Sequence, residues 1–475
     1  MLFNSLEFLV FFVVVYSLYL LLPHRKQNWL LLAASLLFYG CWDWRFLSLI
    51  LFSTTVDYFC GLKIHQAPDQ KTKKIFLLMS IISNLSLLAF FKYFNFFAAN
   101  LIALAHALGL SWSPKILRVI LPVGISFYTF QALSYTIDIY RGKVSPTRNF
   151  GNFSLFVAFF PQLVAGPIER AGHLLPQVES PRKVSLPKFY EGCFLISWGL
   201  FEKIFVAGNL ARIVDPVFDG GAPYEGLSVL IALYSFAFQI FCDFDGYSNI
   251  ARGLGLCLGF DLMVNFRLPY FATNPREFLQ RWHVSLSTWL RDYLYIPLGG
   301  SRVSKFLNMR NLMLTMLLGG LWHGASWTFV LWGMYHGLLL TGHRLLSRGG
   351  ASPATYPSLH ASRTTLHGFL SIIIVFHLVT LGWLFFRATS LQQAGDMTLS
   401  LLHFENTEAA QKLWRRIAFV VLPLLAVQLW QFKSNDLLIL FRQHWLVKTC
   451  VYALMAYLIL GYGILKPEEF IYFQF

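Results

Sequence analysis

Residues 8–22 read FLVFFVVVYSLYLLL, a run of aliphatic and aromatic residues broken only by one serine. Glu7 precedes this run, and His24, Arg25 and Lys26 follow it. A secretory signal peptide has the opposite arrangement, with basic residues first and a small-residue cleavage site last. The run therefore predicts an uncleaved first membrane helix whose basic end lies in the cytoplasm.

Similar apolar runs recur along the chain, at residues 28–58, 75–91, 94–110, 117–139, 152–166, 190–213, 226–242, 246–264, 311–341, 366–386, 416–431 and 447–465. Charged residues make up only 13% of the 475, too few to cover a water-soluble surface of this size. This excludes a soluble enzyme, a disordered chain and a secreted disulfide scaffold. Because a spanning helix needs roughly 20 apolar residues, we expect one all-α, multi-pass membrane domain over residues 1–475, with about 10–12 crossings.

The net charge of +15 lies mainly between the apolar runs, where basic loops fix topology and contact anionic lipid headgroups. No basic-aromatic module stands apart from these runs, so we expect membrane lipid as a partner and no nucleic acid. The six cysteines are scattered without a CxxC pair, and no metal site is predicted.

Residues 266–310 differ from the rest of the chain and hold seven basic residues and two acids. The positive-inside rule places this region in the cytoplasm. Asn274 can cap a helix, Pro275 suits its first turn, and Glu277 stands three residues after the cap. We therefore expect a helix from residue 275 that ends near Pro297.

The apolar residues of this helix form one stripe, which comprises Phe278, Leu279, Trp282, Leu286, Trp289, Leu290 and Tyr293. The helix is too polar to span lipid, so it should lie along the cytoplasmic face or enter a cavity. His283 falls at the edge of the stripe, with Ser287 one turn further on. This histidine could face a cavity or pack as an interfacial structural residue.

A second histidine lies inside an apolar run. If Asn311 marks the cytoplasmic boundary, His323 is roughly 18 Å further along the helix, which is near the middle of the bilayer. An ionisable side chain at that depth is costly and indicates a function by default.

The neighbours of His323 suit catalysis. Gly320 and Gly324 would allow another backbone or a substrate to come close. Trp322 and Trp327 would provide apolar walls that favour the neutral imidazole. A neutral histidine can act as general base for a hydroxyl nucleophile, but the pattern is equally compatible with a histidine that only forms hydrogen bonds between helices.

Other polar groups within apolar runs have structural interpretations. Asp243 and Asp245 are about 200° apart on a helix, so we expect one of them to face the interior as a structural partner. His336 would lie about 220° from His323 on a continuous helix, which also indicates a structural role. No phosphate loop, dinucleotide fingerprint, HExxH or GxSxG motif occurs, which excludes nucleotide-driven coupling and a resident serine-hydrolase triad.

Four motifs carry a resemblance to a known family: FPQLVAGPI at 160–168, CDFDGYS at 242–248, RWHVSLSTWLRDY at 281–293 and GGLWHGASW at 319–327. Together they closely resemble the membrane-bound O-acyltransferase (MBOAT) family. Within it, the chain is similar to the membrane subunits of bacterial alginate and peptidoglycan O-acetyltransferases. Asp245 departs from this pattern, because a serine is expected at its position.

The resemblance implies a ring of tilted helices around a thinned centre, with a tunnel that joins the two membrane faces. It also implies that His323 is the essential catalytic residue and His283 the second motif histidine. In such systems acetyl from a cytoplasmic donor, acetyl-CoA, crosses the bacterial inner membrane. A periplasmic partner of the SGNH-hydrolase type then completes O-acetylation of a polysaccharide. No bound cofactor is implied.

We therefore expect His323 to act as general base and His283, with Ser287, to position the donor or stabilise the oxyanion. Further substrate-binding residues are predicted at Trp282, Arg291, Trp322 and Trp327. Two alternatives remain open from the sequence. One is D-alanyl transfer to teichoic acid by a related member of the family, and the other is a transporter of the acyl donor that makes no bonds.

Overall fold

The computed structural model describes residues 1–111, 119–346, 366–403, 408–465 and 471. In these residues the backbone forms α-helices, short 3₁₀ and π-helical turns, and no β-strand. This confirms the predicted all-α fold class. The chain divides into two compact units, unit 1 (Met1–Gly192 and Ala251–Met263) and unit 2 (Cys193–Ile250 and Val264–Phe475). The sequence predicts that both units belong to a single domain over residues 1–475, and this stays a prediction.

Unit 1 contains α1 (Leu6–Leu21), α2 (His24–Asp43), α3 (Leu47–Gln66), α4 (Gln70–Leu88), α5 (Phe94–Ala107), α6 (Ile125–Tyr140), α7 (Phe150–Ala158), α8 (Phe160–Leu163) and α9 (Ala171–Glu179). A buried polar network joins α3, α4 and α6. Asp57 is fully buried and accepts hydrogen bonds from Ser80 and from Asn84, whose amide lies 3.0 and 2.9 Å from its two oxygens. The Ser80 hydroxyl also lies 2.9 Å from the Thr136 hydroxyl of α6. Both carboxyl oxygens of Asp57 therefore have hydrogen-bond donors in a network that links three helices.

The chain continues with α10 (Leu186–Leu200), α11 (Gly208–Asp219) and α12 (Gly226–Cys257), of which α10 and α12 contain residues of both units. Unit 2 then contains α13 (Pro275–Arg281), α14 (Val284–Leu290), α15 (Lys305–His323), α16 (Trp327–Leu346), α17 (Leu366–Arg387), α18 (Leu391–Ser400), α19 (Glu408–Ser434) and α20 (Trp445–Tyr462). The π-helical turns are Ala89–Tyr93, Phe201–Ala207 and Arg291–Tyr295.

Seven segments in the described part of the chain are long and apolar enough to cross a membrane: His24–Gln66, Gln70–Ala107, Leu186–Asp219, Gly226–Cys257, Leu366–Arg387, Ala410–Ser434 and Trp445–Tyr462. The first three each hold two α-helices, and α1 is a shorter apolar helix. By length and composition the chain is therefore a multi-pass membrane protein. The 10–12 crossings, the ring and the tunnel stay predictions.

A buried ion pair within unit 2 joins α12 to the second π-helical turn. The Lys203 ammonium lies in the second π-helical turn and pairs with Asp243, both less than one-tenth exposed. The second carboxylate oxygen of Asp243 accepts a hydrogen bond from the Ile471 amide at 2.8 Å. Asp243 is thus the interior-facing structural partner that the sequence predicted for one of the two acids.

Candidate active site

The helix predicted to start at residue 275 is α13, and Asn274 caps it as predicted. The Asn274 side chain accepts a hydrogen bond from the Glu277 amide at 2.9 Å, and Pro275 occupies the first turn. On this helix Glu277 and Arg281 are buried and form an ion pair at 2.9 Å. Paired charges of this kind stabilise a buried position that an isolated charge would not tolerate.

The predicted continuous helix is broken at its motif histidine. α13 ends at Arg281 and α14 begins at Val284, because His283 adopts φ 45° and ψ 57°. Left-handed backbone in a non-glycine residue is uncommon, although histidine is among the side chains that tolerate it better, and it concentrates at functional sites. The prediction of one unbroken helix is therefore wrong here, and the break places His283 at a corner.

Asn265 holds this corner in place. Its backbone carbonyl accepts a hydrogen bond from the Val284 amide at 2.9 Å, and its side-chain oxygen accepts one from the Ser285 amide at 3.3 Å. Its own side-chain amide donates to Ser248 at 3.1 Å. Asn265 was not identified from the sequence, because this contact depends on chain folding rather than on a local pattern.

His283 is only 1% exposed and lies between aromatic rings. Its ring centroid is 4.6 Å from Phe244 and 5.9 Å from Trp322. Burial lowers the pKa of His283 to about 3, so the imidazole is neutral at neutral pH. It can therefore serve a substrate by hydrogen bonding rather than by its charge.

The buried neutral state of His283 predicts acid sensitivity. Between its usual pKa of 6.5 and its folded pKa of about 3, the unfolded chain binds a proton that the folded chain does not. The free energy of unfolding should therefore decrease as pH falls below 6.5, by about 2 kcal/mol between pH 6.5 and pH 5 from this group. His283→Asn removes this contribution and keeps a side chain that tolerates left-handed backbone.

The measurement is the thermal unfolding midpoint of the detergent-solubilised protein at pH 7 and pH 5. Wild type should lose more stability on acidification than His283→Asn. An equal loss in the two proteins would show that His283 does not remain neutral on folding.

His323 is the last residue of α15, and a helical hairpin follows it. Gly324 is extended, with φ −159° and ψ 153°, and the Ser326 hydroxyl accepts a hydrogen bond from the Thr328 amide at 3.3 Å near the start of α16. The apolar run at 311–341 is therefore two packed helices, not one continuous helix. The sequence signal for this break was the glycine followed by a serine able to cap a helix.

Glycines allow the two helices of the hairpin to pack closely. A Cβ added at Gly320 would collide with the Phe329 carbonyl oxygen, and one added at Gly333 would collide with the Met316 carbonyl oxygen. The predicted close approach of another backbone at Gly320 is confirmed, and the partner backbone is α16.

The His323 ring is 5% exposed and is surrounded by aromatic side chains. Its centroid lies 5.1 Å from Trp322, 5.0 Å from Trp332 and 5.3 Å from Phe386 of α17. Trp322 thus forms the wall that was predicted for it. Trp327 was also predicted as a wall, but it is 52% exposed at the first turn of α16, and the other buried walls are Trp332 and Phe386.

The hairpin also brings His336 close to His323. Trp332 lies 5.0 Å from the His323 ring and 4.6 Å from the His336 ring, so one indole contacts both. The separation expected for His336 was wrong because it assumed a continuous helix through residues 324–326. His336 is 2% exposed, and Gly382 leaves room for it, since a Cβ there would stand 3.0 Å from its Nε2 atom.

Six side chains of unit 2 are linked by five ring contacts and by the chain bond between Trp282 and His283; this set, here called the aromatic circuit, comprises His323, Trp332, Trp383, Trp282, His283 and Trp322. Trp383 lies 6.1 Å from Trp332 and 4.8 Å from Trp282. Trp282 precedes His283 in the chain, and Trp322 contacts both histidines. The structure thus brings both predicted histidines and two predicted tryptophans into one buried cluster.

The remaining two predicted site residues lie on α14 and just after it. The Ser287 hydroxyl donates a hydrogen bond to the Trp282 carbonyl oxygen at 3.1 Å, which stabilises the corner at His283. Arg291 is exposed and pairs with Asp292 at 2.7 Å. Their roles in substrate binding stay predictions. No group of three or more His, Cys, Asp or Glu side chains that could hold a metal ion occurs within the described ranges.

Comparison with known proteins assigns the class to which this fold and this histidine cluster belong. The sequence profile of the membrane-bound O-acyltransferase family, MBOAT, matches residues 145–381, which include both motif histidines. The chain belongs to this family, because curated relatives within it align over most of its length, and it is therefore an O-acyltransferase.

The relatives include O-acetyltransferases and a D-alanyltransferase. The chain is 42% identical to the probable alginate O-acetylase AlgI of Azotobacter vinelandii over 92% of this chain and 87% of the relative. It is 38% identical to the peptidoglycan O-acetyltransferase of Helicobacter pylori over 83% of this chain and 78% of the relative. It is 30% identical to the teichoic acid D-alanyltransferase of Streptococcus thermophilus over 46% of this chain and 55% of the relative.

Proposed function

We propose that this protein is an O-acetyltransferase of a bacterial inner membrane. It takes acetyl from acetyl-CoA on the cytoplasmic side and passes it across the membrane for O-acetylation of an extracytoplasmic polysaccharide of the alginate or peptidoglycan type. The extent of similarity supports acetyl over D-alanyl as the transferred group. The two acetyltransferase relatives align over more than four-fifths of this chain at 42% and 38% identity, whereas two D-alanyltransferases align over 46% and 56% of it at 30% and 26% identity.

The observation that carries the chemistry is the position of His323, buried at the carboxyl end of α15. A general base becomes positively charged when it takes a proton. The carboxyl end of a helix is the end that favours positive charge, because its carbonyl groups point outward there. His323 is therefore better placed to accept a proton from a hydroxyl group than a histidine buried among apolar rings alone.

The proposed reaction is a direct acyl transfer. The acceptor hydroxyl oxygen bonds to the acyl carbon while its proton passes to the His323 imidazole, and the carbonyl π electrons move onto the carbonyl oxygen. When the carbonyl re-forms, the carbon–sulfur bond breaks and the departing thiolate takes up that proton. Neutral His283, fixed by Asn265, positions the thioester by hydrogen bonding.

The basic side chains of region 266–310 suit an anionic, phosphorylated donor. The basic residues of region 266–310 other than the buried Arg281 are exposed, namely Arg267, Arg276, Arg291, Arg302, Lys305 and Arg310. The positive-inside rule assigns them to the cytoplasm, where acetyl-CoA is available. A positively charged surface raises the local concentration of a negatively charged ligand.

Transfer to the polysaccharide itself requires acetyl to reach the far side of the membrane. We propose that a periplasmic partner of the SGNH-hydrolase type receives the acetyl group there and delivers it to the polymer. Membrane lipid is the only other partner required.

The test uses inside-out membrane vesicles from cells that express the protein, supplied with acetyl-CoA labelled in the acetyl group. We expect labelled, alkali-labile acetyl esters on the polysaccharide, and none with right-side-out vesicles or with vesicles that lack the protein. A D-alanyl ester as the product, or movement of the donor without ester formation, would contradict the proposal.

A further inference from the structure

Three indole N–H groups of the aromatic circuit have no protein acceptor within the described residues. They belong to Trp282, Trp332 and Trp383, which are 3%, 3% and 0% exposed. Buried tryptophans ordinarily pair this group, because an unsatisfied buried donor costs about 1–3 kcal/mol. A single unsatisfied indole N–H group is not unusual in a large protein. Here there are three, and their rings are in contact: Trp332 with Trp383, and Trp383 with Trp282.

The position of these donors connects them with the chemistry of the site. Trp332 contacts His323 with ring centroids 5.0 Å apart, and its ring is nearly parallel to that of Trp383, with an interplanar angle of 21°. His336, which also contacts Trp332, has a buried Nε2 atom without a partner in the same described set. The three indole donors and this imidazole nitrogen therefore belong to one group of contacting rings that includes His323.

The type of group limits what it can bind. An indole nitrogen donates one hydrogen bond and accepts none, so its partner must be an acceptor atom. An apolar acyl chain offers no such atom, whereas the carbonyl oxygen of a thioester does. During acyl transfer this oxygen becomes an oxyanion, and fixed donors in a site shielded from water stabilise that charge most strongly.

We propose that the indole N–H groups of Trp332 and Trp383 bind the acyl oxygen and stabilise the oxyanion formed as His323 takes the proton. Trp282 extends the same donor set toward His283. This inference rests on the proposed function, since it assigns the oxyanion donors of that reaction. It removes oxyanion stabilisation from the possible roles of His283 and leaves that residue to position the donor.

The decisive experiment replaces the N–H group and keeps the shape of the ring. Trp332 is exchanged for 3-benzothienylalanine, in which sulfur stands where the indole nitrogen was, and Trp332→Phe serves as a second variant. The exposed Trp445, exchanged in the same way, is the matched control. Each protein is assayed with labelled acetyl-CoA for kcat and KM, and its thermal unfolding midpoint is measured.

We expect the benzothienylalanine variant at Trp332 to lose about 10²-fold in kcat, with KM and the unfolding midpoint unchanged. A midpoint that does not change is itself informative, because a donor with no protein partner loses no protein hydrogen bond on replacement. Wild-type kcat in this variant, or a higher KM with unchanged kcat, would overturn the inference.

A further variant distinguishes failure of this inference from failure of the proposed function. In the same assay His323→Gln must lose activity if the imidazole is the base. An inactive His323→Gln protein together with a fully active Trp332 variant overturns the indole donors alone. An active His323→Gln protein overturns the proposed reaction, whatever the Trp332 variant does.

Discussion

We expect His323→Gln to lower the rate of the proposed acetyl transfer by about 10²–10⁴-fold, the contribution that a positioned general base typically makes. Glutamine is neutral and similar in length, so the variant keeps much of the packing against Trp322, Trp332 and Phe386 and loses only the basic nitrogen. The expected change is therefore in kcat rather than in KM, because the base acts on a proton that moves only during the reaction. Steady-state kinetics with labelled acetyl-CoA in membranes measure both quantities.

His367→Gln is the control for this experiment. His367 is an exposed residue in the first turn of α17, so the same chemical change is made outside the aromatic circuit, and activity should not change. The unfolding midpoint and the amount of inserted protein must match wild type in both variants. A folded His323→Gln protein with wild-type kcat would show that the buried imidazole has a structural role only.

Gly333→Ala is expected to have the largest effect on stability. The new Cβ would collide with the Met316 carbonyl oxygen and lie 3.1 Å from the Leu317 Cα atom. These are backbone atoms of α15, so neither can move aside as a flexible side chain would. Overpacking of this kind costs about 1–3 kcal/mol, and separating the helices also moves Trp332 relative to His323. Both the unfolding midpoint and kcat should therefore decrease.

Gly342→Ala on the same helix provides the comparison. A Cβ at Gly342 meets no heavy atom within 4 Å, so this variant keeps the helix contact and should gain about 0.5–1 kcal/mol from the better helix propensity of alanine. Thermal unfolding of the two variants and of wild type measures the difference. Equal midpoints for Gly333→Ala and Gly342→Ala would mean that α15 and α16 do not pack as closely as described.

Local chemistry explains which parts of the fold could be predicted from the sequence. The start of α13 was predicted correctly because the residues that determine it, Asn274, Pro275 and Glu277, lie within a single turn. The all-α membrane class followed from composition, which does not depend on how the helices pack. The close approach at Gly320 was correct because a missing side chain permits close backbone contact whichever helix provides it.

The parts that were missed depend on contacts between distant residues. The left-handed backbone of His283 is held by Asn265, and nothing in the neighbouring sequence requires it. Similarly, the turn after His323 was not predicted, because both helices of the hairpin are apolar and hydropathy alone does not separate them. Once the hairpin was taken as one helix, the proximity of His336 and the contribution of Trp332 could not be predicted.

The hairpin and α17 contribute to the site in different ways. The hairpin carries His323, Trp332 and His336, and its glycine contacts allow little change in the spacing of its two helices. From α17, Phe386 supplies a wall for the imidazole without taking part in proton transfer. A smaller side chain at residue 386 would enlarge the space beside His323 and leave the hairpin intact. If acetyl is the transferred group, as proposed, residue 386 is the first position at which to select variants that accept longer acyl donors.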